Sequence, residues 1–291
     1  MLERLVETFC AVDDFCKAFV PQWEAYLLSN GSAPRGPKPG LCVSEVITIL
    51  LMLHGSGCKY LKNFYNGVVG EIRRRYFPKM PCYERFVTLQ PNVLLPLLGF
   101  LLSRRGQPTG IYYIDSTALA VCHNRRIGRH KTFAGLAARG KTSMGWFFGF
   151  KLHLVFNQLN EIVPVKLTPG NVHDGAPVEQ LTQGLTDKLF GYKGYLGKQR
   201  AATLLKRGLV LLTKMRKNMK ALPMTLTDKL LLNRRNLAET IIGHIKAFSS
   251  LNLPKHRAPL NAFLHLLAAL TAYQLNPLKA AAFFPLLPLP A

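Results

Sequence analysis

Three runs in the middle of the chain set its architecture: "GIYYIDSTALAVCH" from Gly110, "GWFFGFKLHLVFN" from Gly145 and "EIVPVKLTPGN" from Glu161. Each is rich in β-branched and aromatic residues, which suit a pleated and half-buried strand. The polar turn "QLNE" joins the second to the third, so the three read as antiparallel strands linked by hairpins. The pattern then changes: a helix over "PVEQLTQGL", a strand over "KLFGY", a helix over "KQRAATLLKRG", a strand over "LVLLTKMRK" and a long helix across "LLLNRRNLAETIIGHIKAF". Three antiparallel strands followed by alternating helix and strand predict a mixed α/β sheet.

Residues 1–106 read differently. "LVETFCAVDDFCKAFV" and "VSEVITILLMLHG" repeat apolar residues at three- and four-residue spacing, the mark of helices with one buried face. The Pro/Gly-rich stretch "NGSAPRGPKPG" between them reads as exposed loop. The expectation is an all-α N-terminal domain over 1–106, an α/β domain over 107–280 and a loose tail over 281–291. A small bundle in that position fits either a DNA-binding module or a purely structural cap.

The charge is lopsided. Lys and Arg number 38 against 15 Asp and Glu, a net charge of +23. With 48% hydrophobic residues the chain is a folded one, so its cations coat a structured surface and suit a polyanionic partner such as nucleic acid. The six cysteines have neither CxxC pairing nor zinc-type spacing, which points to reduced thiols. The start "MLERLVETFC" carries acids where a secretory signal carries only cations. The apolar run "LNAFLHLLAALTAYQL" is short for a membrane span and reads as a buried helix. A cytoplasmic protein acting away from membranes is the expectation.

Two acids stand out. Asp115 closes the apolar run "IYYI", and a carboxylate there is costly to bury without a cation or a hydrogen-bond partner. No other acid occurs before Glu161, whereas Arg125, Arg126, Arg129, Lys131, Arg139, Lys141 and Lys151 crowd the interval. Glu239 lies in "RRNLAETIIGHIK", with Arg235 four residues before it and Lys246 seven after it, all on one face if the segment is helical. Alone, the first could cap a turn and the second could be an ordinary helix ion pair.

Taken together, "YIDSTALAVCHNRRI", "GKTSMGWFFGFKLHLVFN", "LTPGNVHD", "GYKGYLGK" and "ETIIGHIK" resemble the bacterial insertion-sequence transposases of the DDE type over nearly the whole chain. In such families the third acid sits in an R-(3)-E-(6)-K pattern preceded by Tyr. Arg235, Glu239 and Lys246 match, with Leu232 in place of the Tyr. The resemblance implies a ribonuclease-H-like catalytic domain, in which three carboxylates hold two Mg²⁺ (or Mn²⁺) ions for phosphoryl transfer on DNA. Asp115 would be the first acid and Glu239 the third, both of them metal ligands. It also implies transposon ends and target DNA as partners, a homodimer on DNA, and a place at the bacterial nucleoid. Arg125, Arg126, Lys141, Lys193, Arg235 and Lys246 are the expected DNA contacts.

One position departs. The second acid belongs to a "DKGY" motif, and this chain reads "YKGY", with Tyr192 in the acid's place. A phenol with an ordinary pKa of about 10 is a poor Mg²⁺ ligand. Asp187 lies five residues upstream, roughly 16 Å along an extended strand. Asp174 is expected to lie away from the first strand and to cap the next helix. The sequence therefore predicts an active-site framework lacking one acid, in a transposase of impaired activity or in a catalytically inactive DNA-binding descendant. An RNA-binding protein is disfavoured, since no RNP-type aromatic motif is present.

Overall fold

The computed structural model describes residues 2–32, 36, 39–214, 224–249, 251–277 and 279. In chain order the helices and strands are α1 (Leu2–Ser29), α2 (Val43–Leu53), α3 (Leu61–Phe64), α4 (Gly70–Tyr76), α5 (Tyr83–Leu89), α6 (Leu94–Ser103), β1 (Ile111–Cys122), β2 (Ala138–Thr142), β3 (Gly145–Asn157), β4 (Ile162–Pro169), α7 (Val178–Leu181), β5 (Asp187–Gly191), α8 (Lys198–Lys206), β6 (Leu209–Thr213), α9 (Leu226–Arg234), α10 (Asn236–Ser249) and α11 (Pro259–Leu275). They form two compact units. One takes the chain up to Arg104 together with Ile245–Asn276, and the other begins at Arg105 and runs to His244.

The helical unit is organised by α2, whose Val46, Ile47, Ile49, Leu50 and Leu51 are all buried. They share one apolar core with Val12 of α1, Phe86 of α5, Leu97 and Phe100 of α6, and Leu264 and Ala268 of α11. Truncating a side chain such as Phe100 to Ala there costs about 3–5 kcal/mol. The segment Tyr83–Ser103 is apolar and long enough to cross a membrane by composition. It is broken, however, by a 3₁₀ turn at Gln90–Val93, and it sends Phe86, Leu97 and Phe100 into this core. The sequence boundary at 107–280 needs correction. α11 is a buried helix as expected, but its apolar face completes the N-terminal bundle, so the α/β unit ends before it. The stretch 281–291, read as a tail, lies outside the described residues.

The second unit is a six-stranded sheet in the order β2-β3-β1-β5-β6, with β4 also on β3. β1 and β3 pair antiparallel along nearly their whole length, while β5 runs parallel to both β1 and β6. β2 and β4 share β3, β2 along Gly145–Gly149 and β4 from Phe150 onward. Four antiparallel strands followed by two parallel ones, with helices between, make the ribonuclease-H-like arrangement. Tyr112 and Ile114 of β1 and Leu189 of β5 pack with Val178 and Leu181 of α7 and Leu204 of α8. Tyr113 and Phe190 stack with ring centroids 5.6 Å apart. Strand alternation turns Tyr113 and Asp115 to the face opposite Tyr112 and Ile114.

Two elements differ from the sequence expectation. β2 is a short fourth antiparallel strand hidden in the basic stretch "ARGKT", where polar residues mask the alternation. The long helix over 230–248 divides at Arg235 into α9 and α10. α9 is anchored separately: Thr225 caps it by accepting from the Asp228 N–H, and Asp228 binds Lys188 of β5 at 2.7 Å. That anchor ties the start of α9 to β5.

Candidate active site

The site lies at the carboxyl end of the central parallel pair, the place where open α/β sheets hold their ligands. β1 and β5 are in register with Tyr113 opposite Phe190. Two residues further on, Asp115 and Tyr192 therefore hold corresponding positions on neighbouring strands. Gly191 permits this closeness: a Cβ there would stand 2.9 Å from Ile114 Cγ2 and 3.1 Å from the Tyr195 ring.

Asp115 is mostly buried. Burial is the main cause that pushes its pKa up to about 7, while the Ser116 N–H, donating to Oδ1 at 2.8 Å, opposes the shift. The negative charges of Glu239 and Asp174 push it higher still, and Arg235 pulls weakly the other way. Glu239 stands on the exposed first turn of α10, where the helix dipole favours a carboxylate.

Tyr192 closes the gap between them. Its hydroxyl donates a short hydrogen bond to Glu239 Oε1, and the Arg235 guanidinium lies over its ring, 4.1 Å from the centroid. Burial first, and then this hydrogen bond, raise the phenol pKa well above its usual range, so Tyr192 stays neutral. Arg235 reaches the ring from the junction of α9 and α10, a position set by the helix break and not by a shared helix face.

Of the expected residues, Asp115, Tyr192, Arg235 and Glu239 come together. Lys193 follows on an exposed 3₁₀ turn, Lys193–Tyr195. Arg125 and Arg126 are exposed on the 3₁₀ turn that follows the carboxyl end of β1, and Lys141 is exposed on β2. Lys246 falls past the boundary between the units and is half-buried, with its pKa lowered by burial.

Asp174 is not where the sequence put it. α7 is preceded by Pro177 with no side-chain cap, so Asp174 caps nothing. It pairs instead with Lys151 of β3 at 2.9 Å, and its charge is felt at both Asp115 and His153. Lys151 also donates to the Val172 carbonyl at 2.9 Å, and Arg200 of α8 packs on Gly175 while donating to the Tyr195 carbonyl at 2.7 Å. The loop of Asp174 is thus tied to the turn after Tyr192. Asp187 does sit at the far end of β5, with its carboxylate beside Gly110. The sequence counted Lys151 only among the cations after Asp115 and left His153 unnoticed, although two basic groups inside the apolar run "KLHLVF" were a readable signal. Buried His153, bonded to Thr168 at 2.9 Å, has its pKa lowered to about 4 chiefly by burial.

The residues do not fit a two-ion centre. Hard divalent cations need several anionic oxygens. Here the middle oxygen is a neutral phenol, and one Glu239 oxygen is already engaged. Among the described residues, no group of three or more His, Cys, Asp or Glu is placed to hold a metal ion.

A mixed sheet in this order, with acids on its first strand and on a following helix, defines a ribonuclease-H-like domain. More specifically, the chain belongs to a transposase family: residues 105–259, more than half of its length, match the transposase DDE domain. Such domains generally use divalent metals. Among solved structures, the piggyBac transposase, in a synaptic complex with hairpin DNA, shares the fold at 10% identity and a TM-score of 0.53. The match covers 93% of this chain and 74% of that one. No curated protein sequence matches this one.

Proposed function

We propose that this chain is a DNA transposase by descent, of the bacterial insertion-sequence kind. It binds element ends, and its metal-dependent cleavage and strand transfer are arrested at residue 192. The observation that carries the reading is the hydrogen bond from Tyr192 to Glu239, which puts a neutral donor where an acid would stand and occupies the third acid. The rest of the framework supports descent from an active enzyme: the register that brings Asp115 level with residue 192, the anchored start of α9, and Arg235 beside them. Binding would rest on exposed cations, among them Arg125, Arg126, Lys141 and Lys193. A homodimer on paired ends, acting on target DNA at the nucleoid, completes the proposal.

The test is strand cleavage of end DNA with Mg²⁺ or Mn²⁺, comparing the native chain with Tyr192→Asp. The native chain is expected to cleave weakly or not at all, and the variant to recover cleavage. Vigorous cleavage by the native chain that is lost in Asp174→Asn would show that Asp174 supplies the missing oxygen, and would overturn the arrest. Binding itself should weaken by orders of magnitude between about 50 and 200 mM salt, because each phosphate neutralised releases counterions.

A further inference from the structure

The turn joining β2 to β3 carries two large apolar side chains into solvent, Met144 at 94% exposure and Trp146 at 60%. Nothing in the sheet requires them there, since the neighbouring Phe147 is buried. The turn is held firmly. Thr142 pairs with Gly145, whose φ of +113° favours glycine, and Thr142 Oγ1 accepts from the Met144 N–H at 3.2 Å. Trp146 is fixed from both sides. Lys141 is its cross-strand partner, with Nζ 5.6 Å from the ring centroid, and Asn124 donates to the Trp146 carbonyl at 2.8 Å. Arg125 and Arg126 follow Asn124 directly and are exposed.

We propose that this hairpin tip is a stacking platform for an unpaired base of DNA, with Trp146 taking the base and Lys141, Arg125 and Arg126 its flanking phosphates. The proposal rests on the DNA-binding reading above and adds a preference for unstacked strand. An exposed indole among cations, with no acid between residues 116 and 160, matches the combination that single strands require, an aromatic face and a positive track. A paired base is already stacked on both faces and cannot offer its own to the ring. Trp146 lies eight residues along β3 from Leu154, the residue opposite Asp115, roughly 26 Å in extended chain. The platform is therefore separate from the acid site and would engage DNA some way along from it.

The chain has two tryptophans, so Trp23→Phe leaves Trp146 as the sole indole reporter. Its emission should be quenched by a single-stranded oligonucleotide, and far less by a fully paired duplex of the same length. Trp146→Ala should weaken single-strand binding roughly tenfold, within the range that loss of one stacked base produces, and Trp146→Phe should restore part of it. Duplex affinity, carried by phosphate contacts, should change less than twofold in either variant. Absence of quenching, or equal weakening toward both DNA forms, overturns the platform while leaving duplex binding intact. A chain that binds neither form sinks the DNA reading as well. An emission shift that follows protein concentration without DNA would make the tip a contact between copies and would also overturn the proposal.

Discussion

Where their parallel pairing stops, β1 and β5 are built alike and continue differently. Both are central strands of one sheet, paired in register, and each delivers one residue to the same spot two positions beyond the Tyr113–Phe190 pair. β1 delivers an acid whose carboxylate the protein disfavours, and β5 delivers a phenol that the protein keeps neutral. The backbone and packing therefore carry the geometry of an acid-bearing site independently of whether the acid is present. Gly191, the Lys188–Asp228 anchor and the Tyr195–Arg200 contact hold the position of residue 192 whatever its side chain.

The largest effect expected from this contrast is on the β1 side. A pKa raised from 3.8 to about 7 means that the native state holds a proton the unfolded chain has lost between those values. Stability should therefore fall as pH rises from about 4 to 7, and the cost should be fully present above 7. Asp115→Asn removes it, stabilising the chain at pH 8 by up to about 4 kcal/mol and changing little near pH 3. Denaturant unfolding at the two pH values checks this, and equal effects at both would break the comparison. Adding a methyl at the β5 side comes next. Gly191→Ala must push Ile114 and Tyr195 apart and should destabilise by about 1–3 kcal/mol, measured the same way. Tyr192→Phe removes only the hydrogen bond to Glu239, whose exposed carboxylate can rehydrate, and should cost about 1 kcal/mol. A cost several times larger would mean that the phenol is a structural keystone and not an occupant.

Much of this was legible in the sequence. Enrichment in β-branched and aromatic residues revealed β1, β3 and β4, although Asp115, Lys151 and His153 interrupt the apolar runs. β2 was not legible, since the five residues of "ARGKT" are short and polar, and the one they bury is a glycine. The break at Arg235 was invisible because "NRRNLAE" contains no Pro or Gly. Asp115, Tyr192 and Glu239 were found by motif, and their convergence is a product of strand register. Asp174 was misplaced because its partner is Lys151, 23 positions earlier on another strand, and no local spacing reports such a pair.

The central claim is that Tyr192 deprives the site of its metal by neutrality and by occupying Glu239. Calorimetric titration with Mn²⁺ at neutral pH tests it without reliance on turnover. The account predicts no saturable binding to the native chain, saturable binding to Tyr192→Asp, and loss of that binding when Asp115→Asn is added. Tight Mn²⁺ binding to the native chain that disappears with Asp115→Asn would contradict it.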